Sequence, residues 1–166
     1  MLYKRTHMCG ELRLADEGKH VVLNGWVAKA RSLGGLVFVD LRDKTGITQI
    51  TFNEDAPADI IDLAKTLRSE YCIGVKGTVK ERSSKNPNLA TGDIEVFADD
   101  LTVYSVSETP PIYIRDDDNV SDELRLKYRY LDLRKTKMQR NLTMRHKVVK
   151  CARDYFDEQG FTEVET

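Results

Sequence analysis

The chain has 166 residues, enough for one domain of typical size and an extension. Its 26 Lys and Arg residues are balanced by 27 Asp and Glu residues, which argues against a nucleic-acid binder that relies on bulk positive charge. The three cysteines are far apart and form no CxxC pair, so neither a zinc site nor a disulfide framework is indicated. The N-terminus lacks the apolar core of a signal peptide, and no run of about 20 apolar residues occurs, so we expect a soluble, cytoplasmic protein without a membrane span.

Apolar and polar residues alternate over most of residues 20–107, which predicts half-buried β-strands. Five strands are predicted, at residues 21–31, 36–43, 47–53, 72–82 and 92–105. Turn signals at Gly34-Gly35 and at residues 43–46 separate the first three strands. Between the third and fourth strands the apolar spacing becomes helical from about Ala58 to Leu67, which predicts one helix there.

These elements predict a mainly β fold. Strands of this length must close or be covered, because an open sheet would leave their edges exposed. The order strand-strand-strand-helix-strand-strand is that of the OB-fold, a five-stranded Greek-key barrel. A small β-sandwich is the alternative that the pattern leaves open.

The segment after the barrel changes from strands to helices. Pro110 and Pro111 end the barrel, because consecutive prolines cannot continue a β-ladder. An acidic, linker-like segment follows, and Ser121 is placed to cap the N-terminus of a short helix. A longer helix is predicted from about Lys137 to Gln159, and Gly160 is placed to terminate it. Its apolar stripe consists of Met144, Val148, Cys151, Ala152, Tyr155 and Phe156.

The expected organisation therefore has three parts. Residues 1–107 form the barrel, and residues 108–136 form a linker or hinge. Residues 137–166 are expected to be the truncated beginning of a further domain, because the final residues start an element that they do not complete.

The outward faces of the predicted strands carry residue types that bind single-stranded RNA. Alternation places Phe38 on a face with charged residues and Gln49 on the wetter side of the third strand. An aromatic ring can stack on a splayed base for roughly 1–3 kcal/mol. Basic side chains bind phosphates or bases, and Gln and Glu read base edges. The candidate residues are Arg31, Phe38, Gln49, Lys80, Arg82 and Glu95, with Asn86 in the loop at 83–91.

Each of these residues also has a structural interpretation. A single Phe on a polar face is often packed beneath a neighbouring loop, and an outward row of Lys and Arg is usually a solvated face or protects an edge strand. Glu95 would ordinarily be a surface carboxylate. A free-standing OB-fold module that binds single strands without sequence preference also remains open.

Several motifs resemble the N-terminal region of bacterial aspartyl-tRNA synthetases. These are LNGWV at 23–27, GGLVFVDLRD at 34–43, GITQ at 46–49 and LRLKYRYLDLR at 124–134. Residues 145–166 resemble the helix and first strand of motif 1 of the class II synthetases. The RYLDLR tract is shared with lysyl- and asparaginyl-tRNA synthetases, whereas the extended match favours the aspartyl enzyme.

The resemblance implies roles for the candidate residues. The residue matching Phe38 stacks on an anticodon base, and the residue matching Gln49 contacts the central base. Those matching Arg31, Arg82, Asn86 and Glu95 contribute to reading the anticodon or its backbone. Thr51 stands where some relatives carry a second aromatic residue, and Leu33 matches enzymes that discriminate tRNA-Asp from tRNA-Asn.

The resemblance also implies a complete enzyme that activates aspartate with ATP and Mg²⁺ and transfers it to tRNA-Asp. That enzyme would be a homodimer through motif 1. The residues for the chemistry, in motifs 2 and 3, are absent from these 166 residues. We therefore expect this fragment to have no catalytic residue, to need no cofactor itself, and to bind tRNA through the anticodon stem-loop without aminoacylating it.

Overall fold

The computed structural model describes residues 2–165, which form two compact units divided between Thr109 and Pro110. The first unit is a closed barrel with strand order β1-β2-β3-β5-β4. Its strands are β1 (His20–Leu33), β2 (Leu36–Arg42), β3 (Ile47–Phe52), β4 (Cys72–Glu81) and β5 (Ile94–Ser105). The helix α1 (Ala58–Lys65) follows β3, so the OB-fold prediction is confirmed, whereas the sandwich is not found.

The long first strand closes the barrel by pairing with two different neighbours. Its first half, from His20 to Trp26, is antiparallel to β4, and its second half, to Leu33, is antiparallel to β2. An irregularity in register between Val27 and Lys29 bends the strand between these partners. The remaining closure is made by β5, which is antiparallel to β4 and parallel to β3.

The core follows the period-two pattern of the strands. In β2 the odd-numbered residues from Val37 to Leu41 are buried, and the intervening residues are partly exposed. Burying one such side chain fully stabilises the fold by roughly 1.5–3 kcal/mol. The largest fully buried side chains of the barrel core include Phe52, Leu23, Leu41, Ile50, Ile73 and Ile94.

The turn between β1 and β2 depends on its two glycines. Gly34 and Gly35 have φ of +59° and +86°, which matches the type I′ hairpin turn. Leu33 and Leu36 are paired across this turn, and Leu33 is exposed at its tip. The prediction of a turn here is confirmed, although β1 continues two residues further than predicted.

The second unit is helical, with α2 (Asp122–Lys127), α3 (Arg129–Asp132) and α4 (Thr136–Glu158). As predicted, the Ser121 hydroxyl accepts a hydrogen bond from the backbone N–H of Leu124 at 3.4 Å. Gly160 follows the C-cap residue Gln159 of the long helix, and its φ of +82° allows a Schellman cap. In this cap the N–H of Phe161 donates to the carbonyl of Phe156 at 3.0 Å.

A buried charge cluster joins the short helices to the start of α4. The Asp132 carboxylate is fully buried and accepts hydrogen bonds from Arg125 at 3.0 Å and from Arg129 at 3.0 Å. Lys135 bridges Asp132 and Asp118, at 3.2 Å and 2.7 Å.

Within the described residues, no helix is long and apolar enough to cross a membrane.

Candidate nucleic-acid interface

The outer face of the barrel brings residues from all five strands into two adjacent rows. In the first row, Phe38 on β2 is paired with Thr51 on β3, and Thr51 is in turn paired with Phe97 on β5. The next row pairs Asp40 with Gln49. It continues through Glu95 to Lys80.

The side-chain amide of Gln49 connects the second row. Its oxygen accepts hydrogen bonds from the guanidinium groups of Arg31 at 2.8 Å and Arg82 at 3.0 Å. Its nitrogen donates to Glu95 Oε2 at 3.0 Å. This orientation is fixed chemically, because the reverse would place the amide N–H groups against two guanidinium donors. One amide N–H of Gln49 is left over for a ligand.

The Glu95 carboxylate is held by two uncharged donors. Oε2 accepts from Gln49 and also from the hydroxyl of Thr51. The hydrogen bonds of the carboxylate among the described residues all end on Oε2, so Oε1 is an acceptor for a ligand. Glu95 is only 7% exposed, which gives this acceptor a low-dielectric setting.

Phe38 and Arg31 form a mixed aromatic and cationic pair at one side of the network. They are opposite each other in the β1–β2 register, and the guanidinium carbon lies 5.4 Å from the ring centroid. Phe38 is half-buried and Arg31 is exposed. The pair can therefore offer a ring face for stacking and a planar cation for a base or a phosphate.

Lys80 and Phe97 form a second such pair across the network. The Lys80 ammonium lies 4.5 Å from the centroid of the Phe97 ring. Lys80 is exposed, and Phe97 is half-buried. The Gln49–Glu95 pair is thus flanked by two aromatic rings, Phe38 and Phe97, and each ring has one cation next to it.

Asn86 lies in the loop between β4 and β5 and organises that loop. Its side-chain oxygen accepts from the backbone N–H of Asn88 at 3.1 Å, and its own N–H donates to the carbonyl of Gly92 at 2.9 Å. A Cβ at Gly92 would collide with the Asn86 carbonyl oxygen. Asn86 has no hydrogen bond to the Gln49 network among the described residues, so the structure does not join it to the other six candidates.

Two expectations about exposure were wrong. Gln49 was predicted on the wetter side of β3 and Glu95 on an outward face, yet they are 5% and 7% exposed. Both side chains do lie on the outer face, but they contact each other there, and Arg31 from β1 and Arg82 from the β4–β5 connection also cover Gln49. Alternation assigns a face of the sheet and does not count the side chains that cover it.

Sequence reasoning missed two residues of this face. Thr51 was considered only for stacking, whereas its hydroxyl positions Glu95. Phe97 was not among the predicted binding residues, although it is two residues from Glu95 on the same strand. The same alternation that selected Phe38 could have found it.

The face carries side chains of the kinds that bind unpaired bases. Within residues 2–165, no group of three or more His, Cys, Asp or Glu side chains could ligate a metal ion. The network instead offers guanidinium and amide donors, one carboxylate acceptor and two ring faces. Unpaired bases are recognised by this combination of stacking and edge hydrogen bonds.

Comparisons with known proteins agree with this chemistry. Residues 21–104 match the tRNA anticodon family described as an OB-fold nucleic acid binding domain. Residues 121–166 match the class II tRNA synthetases of the D, K and N type. Asparaginyl-tRNA synthetase from Pyrococcus horikoshii, solved with asparaginyl-adenylate, is 29% identical with a TM-score of 0.82, over 99% of this chain and 36% of that one. Aspartyl-tRNA synthetase from Entamoeba histolytica, at 22% identity and a TM-score of 0.88 over 98% and 39% of the two chains, shares the fold.

Curated relatives are more similar in sequence. An aspartate–tRNA ligase from Ruminiclostridium cellulolyticum is 52% identical over 98% of this chain and 28% of that protein. An aspartate–tRNA(Asp/Asn) ligase from Thermoanaerobacter sp. is 50% identical with the same coverage. The chain thus spans less than a third of the length of these relatives. By its barrel and the segment that follows, it belongs to the anticodon-binding OB-fold family, joined to class II (D, K and N) tRNA synthetase sequence as in the aspartate–tRNA ligases.

Proposed function

We propose that this chain is the anticodon-reading part of an aspartate–tRNA ligase that acts on tRNA-Asp. The observation that carries the proposal is the Gln49–Glu95 pair, held between two arginines and flanked by the ring of Phe38. It combines fixed donors and an acceptor with a stacking surface, as recognition of splayed bases requires. The aspartate specificity in this proposal rests on the similarity to aspartate–tRNA ligases, which match 98% of the chain.

In this proposal the network reads the anticodon without rearranging. Phe38 stacks on one base, and the free N–H of Gln49 donates to the central base. Glu95 Oε1 accepts from the donor edge of another base, while Arg31 and Arg82 bind phosphate or base acceptors next to the amide that they hold. Lys80 and Asn86 complete the set from β4 and its following loop.

The test is a titration of the tRNA-Asp anticodon stem-loop against the chain and its Phe38→Ala variant. Loss of one stacked base should weaken binding by roughly 1–3 kcal/mol. Phe161→Ala, which removes an exposed phenylalanine of the helical unit, is the matched control and should bind as the unchanged chain does. Equal affinity for a stem-loop with another anticodon would support a non-specific OB-fold module instead.

Catalysis is assigned to the complete ligase, which would use ATP and Mg²⁺ in the cytoplasm. We propose that residues 1–107 read the tRNA, that 108–136 link the domains, and that 137–166 belong to the catalytic domain. The purified chain should then bind tRNA but form no aspartyl-adenylate. Adenylate formation, measured by aspartate-dependent ATP–pyrophosphate exchange, would contradict this division.

We propose that Leu33, at the exposed hairpin tip, contributes to a preference for tRNA-Asp over tRNA-Asn. Leu33 is 73% exposed next to Arg31 on β1, so its side chain is accessible to a bound anticodon. One of the two curated relatives is named for tRNA in general and the other for tRNA(Asp/Asn), so the names do not decide the tRNA preference of this chain. A variant can test it. Leu33→His should narrow the difference in affinity between the anticodon stem-loops of tRNA-Asp and tRNA-Asn. An unchanged difference would show that Leu33 does not contribute to the discrimination.

The complete ligase is also proposed to be a homodimer through the region of α4. In support, Met144, Val148, Tyr155 and Phe156 are all more than half exposed on this helix. Contiguous exposed apolar side chains of this kind mark association surfaces. Sedimentation of the chain at rising concentration should show self-association, and a strict monomer at every concentration would count against this surface.

A further inference from the structure

Phe97 is placed to serve the same purpose as Phe38 on the other side of the network. Its neighbours Val96 and Ala98 are buried in the core, so the ring lies on the outer face of β5. Thr51 is the Cα partner of Phe38 on one side and of Phe97 on the other. Neighbouring strands are about 4.8 Å apart, so the two aromatic residues are anchored roughly 10 Å from each other.

The residue between the two rings is not aromatic and is itself covered, since Thr51 is only 2% exposed. Thr51 is small, and its hydroxyl is turned to Glu95. A base stacked on either ring would therefore not meet a third aromatic side chain in this row. The hydrogen-bonding groups of Gln49 and Glu95 lie one row away and can contact a base edge while its face is stacked.

Lys80 gives the Phe97 ring a cation that is free to bind phosphate. Among the described residues Lys80 makes no ion pair, and its recorded contact is with the Phe97 ring at 4.5 Å. Lys76, on the same face of β4, differs because its ammonium is 2.7 Å from Asp100 and 4.1 Å from the Tyr3 ring. The Lys76 charge is thus paired with Asp100, whereas Lys80 has no ion-pair partner within residues 2–165.

We propose that Phe97 is a second stacking platform for single-stranded RNA and that Lys80 binds the phosphate next to the base stacked there. The inference rests on the proposed anticodon-reading function and adds a binding subsite to it. The ammonium moves from the ring face to the phosphate as the base arrives, and the ring then stacks on a nucleotide other than the one on Phe38.

The test is a scan of the anticodon stem-loop in which each loop nucleotide in turn is replaced by an abasic one. In the unchanged chain, the abasic change at the Phe97 nucleotide should weaken binding about tenfold. Phe97→Leu keeps an apolar side chain but removes the ring face, so it should lose about the same affinity and become insensitive to that one abasic position. Phe97→Tyr should restore both properties, and Phe38→Leu should become insensitive at a different position.

Lys80→Met tests the phosphate contact independently and does not depend on the folding of the Phe97 variants. The slope of log affinity against log salt should become shallower by about 0.7, the value for one phosphate contact on a single strand. Lys76→Met is the matched control and should leave the slope unchanged. An unchanged slope for Lys80→Met, or a Phe97→Leu chain that retains the full abasic profile, would overturn the second platform. Failure of the unchanged chain to bind the stem-loop would instead reject the proposed function.

Discussion

Gln49 Nε2 donates to Glu95 Oε2 over 3.0 Å, although the two residues are 46 positions apart in the chain. Both side chains are nearly inaccessible on a face that would otherwise be open to solvent. A buried carboxylate is costly unless it is hydrogen-bonded, and here Gln49 and Thr51 provide the donors. If these groups read RNA as proposed, they are ordered before it binds, which lowers the entropy lost on association.

Exchanging the two polar side chains should separate stability from recognition. Gln49→Glu places two carboxylates against each other and should destabilise the barrel by roughly 1–3 kcal/mol, measured by urea unfolding. Adding Glu95→Gln restores one donor between them, so the double variant should recover most of that stability. It should not recover RNA affinity, because Glu at position 49 lacks the spare N–H of Gln49 and Gln at position 95 lacks the negative charge of the original acceptor. Glu54→Gln, at an exposed acid, is the control.

Wild-type RNA affinity in the double variant would show that Gln49 and Glu95 only support the fold. Loss of affinity together with full stability would show that they contact the RNA. The two outcomes are read from one urea titration and one stem-loop titration of the same protein.

Gly92 should be required for the loop that presents Asn86. A Cβ at residue 92 would overlap the Asn86 carbonyl oxygen, so Gly92→Ala must displace the loop backbone. We expect a loss of roughly 1–3 kcal/mol in the free energy of unfolding, together with weaker stem-loop binding. Ala90→Ser, at an exposed position of the same loop, should change neither quantity. A Gly92→Ala chain with unchanged stability would show that the loop can move at little cost.

The three thiols should differ strongly in reactivity. Burial, with the nearby carboxylate of Asp43 as a second cause, raises the pKa of the Cys9 thiol far above its usual value. Because the thiolate is the reactive form, Cys9 should react with an aromatic disulfide reagent only when the barrel unfolds. The exposed Cys151 should react at once. In a Cys72→Ser background the reaction should have one fast and one slow phase, and Cys151→Ser should remove the fast phase. Rapid labelling of Cys9 in the folded chain would contradict its burial.

The buried Asp132 should make the helical unit sensitive to acid. A hydrogen bond from Arg125, helped by one from Lys135, lowers the pKa of the Asp132 carboxyl below its ordinary value of 3.8. A lowered folded-state pKa means that this stabilisation is fully present above the ordinary value and is lost as the pH falls through the lowered one. Asp132→Asn should reduce the free energy of unfolding by roughly 2 kcal/mol at neutral pH. The measurement is a urea titration monitored by helical ellipticity.

The difference between Asp132→Asn and the unchanged chain should shrink as the pH falls from about 3.8 through the lowered pKa, because the carboxyl becomes protonated first in the unfolded chain and then in the folded one. Asp117→Asn is the control, since that side chain is 80% exposed and should have almost no effect. A pH-independent difference would show that packing of the carboxamide, rather than the charge, is responsible.

The sequence by itself determined the elements and their inner faces. Period-two alternation located all five strands to within about two residues, and helical spacing located α1. The Ser121 cap and the Gly160 terminus were also predictable, because capping depends on residues within one or two turns of each other. The hypotheses of anticodon binding and of aspartate as the amino acid came from the family resemblance, because a periodic pattern carries no information about ligands.

Only the tertiary structure decided how the outer face is assembled. The parallel pairing of β3 with β5 brings Glu95 to Gln49 and Phe97 to Thr51, and a parallel pair leaves no turn in the sequence to reveal its register. Burial of Gln49 follows from side chains on distant segments, which alternation along one strand cannot count. The physical reason is range: a strand's own residues fix which way each side chain points, and contacts between strands fix what it meets there.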